Sequence, residues 1–151
     1  MREIASNLNI DPNWLMAVMA FETGETFKSY SRNPRSRATG LIQFIESTAR
    51  DLGTSTAELA RMSEIEQLDW VEKYFNQYRN RIRNIDDAYM AVFWPAAIGR
   101  PGSFVLIDQT TRPNAYHQNS ELDRNQDGKI TKDEAAERVR RMYKIGQAHM
   151  A

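Results

Sequence analysis

Between Asp11 and Gly24 the chain reads Asp-Pro-Asn-Trp-Leu-Met-Ala-Val-Met-Ala-Phe-Glu-Thr-Gly, and this run constrains the fold more than any other. Asp11 is a preferred N-cap and Pro12 suits a first helical position. Gly24 is a C-terminal stop. A helix over residues 12–23 is therefore predicted. It is apolar on nearly every face, so it belongs inside the domain. Its one carboxylate, Glu22, falls at the end, where a core helix is expected to reach a surface cleft. A carboxyl group partly removed from water has a raised pKa and holds its proton near neutral pH. That is what a general acid requires. The plainer alternative for Glu22 is a solvated charge at a helix end.

The rest of the composition narrows the field by exclusion. A length of 151 residues suits one domain with a real core. Twenty basic and twenty acidic residues give a formal net charge of zero, so neither nucleic acid nor an anionic membrane is the expected partner. A monomer is the expected state. Cysteine is absent, which removes disulfides and thiolate chemistry. No apolar run is long enough for membrane insertion. The first residues, Met1-Arg-Glu-Ile-Ala-Ser-Asn, carry no signal-like apolar segment, so an expected target outside the cytoplasm needs another delivery route.

Along the chain, residues 1–8 read as a short helix ending near Asn9. Residues 24–40 are rich in Gly, Ser, Asn, Pro and Arg and read as a functional loop or small irregular subdomain. Glu46 to Leu52 reads as a helix stopped by Gly53. Ser55 with Glu58 and Ser63 with Glu66 are capping-box pairs, for helices over 56–62 and 64–80. On the second of these, Ile65, Leu68, Val71, Tyr74, Phe75 and Tyr78 fall at helical spacing and read as core, with one tyrosine reaching the cleft as the alternative. Arg79, Arg81 and Arg83 read as a solvated basic face, or alternatively as a dock for an acidic wall polymer. Asn84 caps a buried helix with Asp86 and Asp87 in its first turn, ending near Pro95. Phe93 and Trp94 read as core before sugar platform, and His117 and His149 as surface. Ser103 to Asp108 reads as a short strand or extended stretch.

Asp123-Arg-Asn125-Gln-Asp127-Gly128-Lys129-Ile130-Thr131-Lys-Asp133-Glu134 fits every key place of a twelve-position calcium loop. Asp123, Asn125 and Asp127 supply side-chain oxygens at the first, third and fifth places. Gly128 makes the sharp turn, Lys129 offers its carbonyl, Thr131 acts at the ninth place, and Glu134 gives the closing carboxylate. The segment resembles an EF-hand loop. It is single, whereas sensor hands come in pairs. The expectation is one structural Ca2+ ion fixing a C-terminal helix, Thr131 to Ala148, with Val139, Met142, Tyr143 and Ile145 facing inward. Residues 114–122 give a short entering helix at best.

Glu22-Thr-Gly, followed by Ser36-Arg-Ala-Thr-Gly40-Leu-Ile-Gln43-Phe-Ile-Glu-Ser47-Thr-Ala49, resembles the catalytic region of soluble lytic transglycosylases and goose-type lysozymes. Ala88-Tyr89-Met90-Ala91 stands where that family commonly has Tyr-Asn-Ala-Gly. The resemblance implies a mainly α, lysozyme-like helical domain with little β structure. Residues 1–118 would form the transglycosylase core, and residues 119–151 the EF-hand-like loop and helix, in one globular unit. It implies peptidoglycan glycan strands as substrate and Glu22 as catalytic acid. Ser36, Gln43 and Tyr89 become substrate-side residues, with Ser36 a candidate partner of Glu22 and Gln43 binding a sugar N-acetyl or hydroxyl group. The alternatives are a loop serine and a glutamine that satisfies buried backbone. Residues 31–39 contain no acid, and Glu25, a helical turn beyond Glu22, is poorly placed to attack the opposite face. This favours the single-acid route to a 1,6-anhydro product over a muramidase or chitinase. Met90, and Val92-Phe-Trp94 in place of Ala-Gly, depart from the family pattern. A non-enzymatic calcium-dependent module is the remaining alternative. With no signal-like segment in Met1-Arg-Glu-Ile-Ala-Ser-Asn, the expected setting is a phage lysis protein or a virion-borne wall-piercing domain, acting on the cell wall in the periplasm.

Overall fold

A computed structural model describes residues 1–150, with side chains for residues 1–146. It is mainly helical, as expected. The order is α1 (Arg2–Leu8), α2 (Pro12–Glu22), α3 (Glu46–Leu52), α4 (Thr56–Arg61), α5 (Glu64–Asn76), α6 (Ile85–Phe93), β1 (Val105–Asp108), α7 (Pro113–Gln118), β2 (Lys129–Thr131) and α8 (Lys132–Met150). Single 3-10 turns cover Pro95–Ala97 and Ser120–Leu122. Two compact units are distinguished, Met1–Asn80 and Arg81–Ala151. Among the described residues no helix is long and apolar enough to cross a membrane. The side chain of His149 lies outside the described residues.

In the first unit, α2 is the buried helix the sequence predicts. Asp11 caps it, accepting the Asn13 N–H at 2.8 Å. Leu15, Ala17, Val18, Met19 and Ala20 are all buried, while Met16 is turned partly outward. The chain leaves the helix through Thr23, whose hydroxyl donates to the Met19 carbonyl at 2.7 Å and accepts the Phe27 N–H at 2.9 Å. α2 and α5 both pack against α1, and α3 packs against α5. Ser63 and Glu66 form the reciprocal box expected of α5. Ser55 accepts the Glu58 N–H, but Glu58 turns its carboxylate to the Thr54 hydroxyl instead of closing the box.

Two corrections concern α5. It ends at Asn76 and not at residue 80; Tyr78 and Arg79 continue in tight turns and Asn80 adopts φ 69°. Its fully buried stripe is Gln67, Val71 and Phe75, one residue per turn. Ile65 lies well round the helix from that line and is 79 % exposed.

In the second unit, Asn84 caps α6 through the Asp87 N–H at 2.8 Å, and the helix stops before Pro95 as predicted. α8 packs against α6, and β1 pairs antiparallel with β2, joining Asp108 to Lys129 and Ile107 to Ile130. Ala135, Ala136 and Val139 form the inner face of α8. Met142 and Tyr143 are half-buried, but Ile145 has rotated out to solvent, contrary to expectation.

Asp87 is more than a first-turn acid. It is buried 2.6 Å from the equally buried Lys132 ammonium, and it also accepts the N–H groups of Gly99 and Arg83. Lys132 completes its shell on the Arg100 carbonyl at 2.8 Å. An ion pair taken out of water persists only when its remaining polar atoms are satisfied, and here they are.

Candidate functional site

Glu22 is the last residue of α2, reached from a core that needs five neighbouring positions buried. Its side chain is half-buried. Loss of water around the carboxylate pushes its pKa up from 4.5 to about 7. Among the described residues, no donor hydrogen-bonds the carboxylate. Exclusion from solvent therefore keeps about half of these carboxyls protonated at neutral pH, and more below it.

Tyr74 on α5 stands within electrostatic reach of this acid. Its hydroxyl is held well above the usual tyrosine range, chiefly by burial, then by Tyr78 and its hydrogen bond, with the Glu22 charge acting in the same direction. The ring lies edge-on to Phe44, with centroids 6.3 Å apart, and to Tyr78 at 6.0 Å. The sequence offered this residue only as a core tyrosine or, with Tyr78, as one of two candidates for the cleft. Helical spacing alone does not distinguish a tyrosine that fills space from one that also faces a functional group.

The segment 31–44 is an ordered knot. Single antiparallel bridges join Arg32 to Thr39 and Thr39 to Phe44. Ser36 is exposed, and its hydroxyl accepts the Ala38 N–H at 3.2 Å, inside its own loop. Gln43 adopts φ 56° and donates Nε2 to the carbonyls of Ser31 and Gly40, at 3.0 and 2.9 Å. Its amide thus satisfies backbone, the alternative noted above, while the same two bonds fix where its oxygen points. Glu25 is not helical: α2 has ended, and Glu25 is exposed in a turn with φ 69°.

Gln67 is the residue that sequence reasoning missed. It is fully buried on α5, accepts the Leu41 N–H at 2.7 Å, and donates to the Ser29 and Leu59 carbonyls, each at 2.9 Å. The available signal was an amide standing one turn before Val71 on an otherwise apolar stripe.

In the second unit, Tyr89 is buried on α6 and stacks on Phe93, with centroids 5.4 Å apart and planes 6° from parallel. Phe93 and Trp94 are half-buried, and the Arg112 guanidinium lies 5.3 Å from the Trp94 ring. His117 is exposed.

The acidic loop gathers its groups in one place. Carboxylate oxygens of Asp123, Asp127 and Glu134 lie within 4.8 Å of one another. Asp123 is buried, and its oxygens accept the Tyr116 hydroxyl at 2.6 Å and the Gly128 N–H at 2.9 Å. Burial alone would raise its pKa, but hydrogen bonds from Tyr116, Gly128 and Asp127 outweigh this and hold it below the usual range. Asn125 accepts the Asp127 N–H at 3.3 Å, and Asp127 accepts that of Lys129 at 2.9 Å. Glu134 spans the loop, accepting from Thr131 N at 3.1 Å and from Arg124 N at 2.7 Å. Gly128 makes its turn at φ 83°.

A half-buried acid closing a core helix, in a small and mainly helical chain, defines a lysozyme-like domain. The model of the transglycosylase SLT domain matches residues 1–92, more than half the chain, and the protein belongs to that family. Its function is accordingly of the lytic transglycosylase type, directed at peptidoglycan. A comparison with curated proteins finds no match.

Proposed function

We propose that this chain cleaves the β-1,4 bond between N-acetylmuramic acid and N-acetylglucosamine by a single-acid route, with Glu22 as the catalytic residue. The observation that carries the reading is the desolvated Glu22 carboxyl, with its pKa pushed up to about 7. Protonated Glu22 gives its proton to the bridging oxygen as the bond to the anomeric carbon breaks. The substrate's N-acetyl group stabilises the positive charge. Glu22, now a carboxylate, takes the proton of the sugar 6-hydroxyl, and that oxygen closes on the anomeric carbon to form the 1,6-anhydro ring. Water is neither consumed nor released. Exposed Glu25, and the absence of any acid from 31 to 39, support a route without a second carboxylate.

Gln43 is a substrate-binding residue in this reading, presenting its amide oxygen to a sugar N–H or hydroxyl. Ser36 and Tyr89 remain candidate substrate contacts, each on its own unit. Digestion in 18O-labelled water tests the route. Anhydro ends without label are expected; reducing ends carrying one 18O would assign the chain as a hydrolase.

We also propose that the loop from Asp123 to Glu134 holds one structural Ca2+. The donor set fits a hard cation, with three carboxylates converging and Asn125, Thr131 and the Lys129 carbonyl in the remaining places. When bound, the ion would supply charge neutralisation and loop order, and the sugar chemistry needs neither.

A further inference from the structure

Apart from Ser36, the turn Arg32-Asn-Pro-Arg35-Ser-Arg37 has no part in the chemistry above. We propose that it binds the free carboxylates of the peptide stems carried by the glycan, so that the chain selects peptide-bearing strands over stripped ones. This rests on the peptidoglycan reading and adds a specificity to it.

Solvated charge is the ordinary state of an exposed arginine, but three features set this turn apart. The first is charge. From Thr26 to Ile45 the chain carries Lys28, Arg32, Arg35 and Arg37 and no acid, although the whole chain is balanced at twenty of each sign. All three arginines are exposed, and among the described residues none makes an ion pair.

The second feature is order. Asn33 accepts the N–H groups of Arg35 and Ser36 at 2.8 and 3.1 Å, and Arg37 N donates to the Asn33 carbonyl at 2.8 Å. Arg37 is held at φ 63°, a conformation that non-glycine residues keep only when their surroundings impose it. Arg32 donates Nε to the hydroxyl of buried Thr39 at 3.0 Å. That bond orients the guanidinium and leaves both terminal nitrogens for an incoming group. A planar fork fixed in this way suits a carboxylate, which it grips with two parallel hydrogen bonds.

The third feature is position. The Ser31 carbonyl at the base of the turn accepts both the Gly40 N–H and the Gln43 side chain, at 2.8 and 3.0 Å. The cationic turn and the proposed sugar-binding amide are thus fastened to the same atom. Peptide stems hang from the lactyl group of N-acetylmuramic acid, the sugar next to the bond to be cut. Their carboxylates are the anions that arrive with the substrate.

The test is calorimetric titration of the Glu22→Gln protein with a soluble tetrasaccharide bearing tetrapeptide stems, and with the same fragment after an amidase has removed them. The stem-bearing fragment is expected to bind about tenfold tighter at low salt. Adding Arg32→Gln, Arg35→Gln and Arg37→Gln should abolish most of that gain while the melting temperature is retained. Should the triple variant not fold, Arg35→Gln alone should still lower the gain, since Arg35 is exposed and its side chain holds nothing else in place. Arg32→Lys should lose more than half of the Arg32 share, because the charge stays but the fork is gone. Equal binding of the two fragments, or a gain that survives the triple change, would overturn the inference and leave the proposed reaction intact. Tighter binding of a glycerol-phosphate polymer than of the stem-bearing fragment would reassign the turn to wall phosphates. Failure to bind either fragment would strike at the glycan reading itself.

Discussion

Gly40 and Gln67 leave each other no slack: a Cβ built on residue 40 would lie 2.4 Å from Oε1 of Gln67 and 2.8 Å from its Nε2. Gly40 also sits at φ 91°, where side chains are strained. The neighbouring Leu41 N–H ends on that same Oε1 at 2.7 Å. One buried amide from α5 thereby fixes the turn that leads to Gln43. Gly40→Ala is expected to destabilise the fold by about 2 kcal/mol or more, through positive φ and collision together. Gln67→Ala removes the partner of Leu41 N and of two carbonyls in a dry site, at a cost of about 3 kcal/mol or more. Urea denaturation checks both, as a fall in the midpoint at unchanged m.

The pH dependence of activity follows from Glu22. The acid must carry its proton to act, and its pKa is about 7. kcat/KM should therefore hold level through mildly acidic pH and fall about tenfold per pH unit above the pKa. A rate that stays level to pH 9 would mean that this group is not the proton donor.

The same shift has a consequence for stability, of opposite use to the protein. Between 4.5 and about 7 the folded chain keeps the Glu22 proton while the unfolded chain has lost it. Folding stability from this group is whole below pH 4.5, declines through that window, and is gone above it. Glu22→Gln removes the charge that burial penalises. It should be more stable than wild type at pH 8, by up to about 3 kcal/mol, with the difference vanishing at pH 4. Paired denaturant curves at the two pH values decide this, and a variant equal or inferior at pH 8 would contradict it.

Lys132 follows the last residue of β2 and is buried against Asp87 on α6. Lys132→Met strands the Asp87 carboxylate in the interior, and a loss of about 3–5 kcal/mol is expected. Adding Asp87→Asn should restore part of it, since an amide oxygen can still accept from Gly99 or Arg83. Full additivity of the two losses, measured by a double-mutant cycle, would show that the two side chains do not act as a pair.

For the acidic loop, calcium is expected to raise the melting temperature and a chelator to reverse the gain. Glu134→Gln should weaken the response strongly, because it removes the charge at the closing position. A melting curve indifferent to calcium in the wild-type protein would remove the ion from the account.

Much of this architecture could be read from local signals. Asp11, Ser63 and Asn84 each placed a helix start because a side-chain oxygen is needed where backbone N–H groups lack partners. Glu22 was legible because a carboxylate at the end of an all-apolar helix has little access to water. Gln67, Tyr74 and the Asp87–Lys132 pair were not legible in the same way. Their roles depend on what the chain brings opposite them, twenty-six residues away for Leu41 and forty-five for Lys132. Ile65 and Ile145 failed for a related reason. Periodicity locates an apolar stripe, but tertiary packing decides how wide a stripe is covered.

The most direct measurement is mass spectrometry of peptidoglycan digested by the wild-type chain and by Glu22→Gln in parallel. The wild type is expected to yield 1,6-anhydro-ended muropeptides, and the variant to release them roughly a hundredfold more slowly or worse. Reducing-ended products, or a variant that releases muropeptides as fast as the wild type, would contradict it.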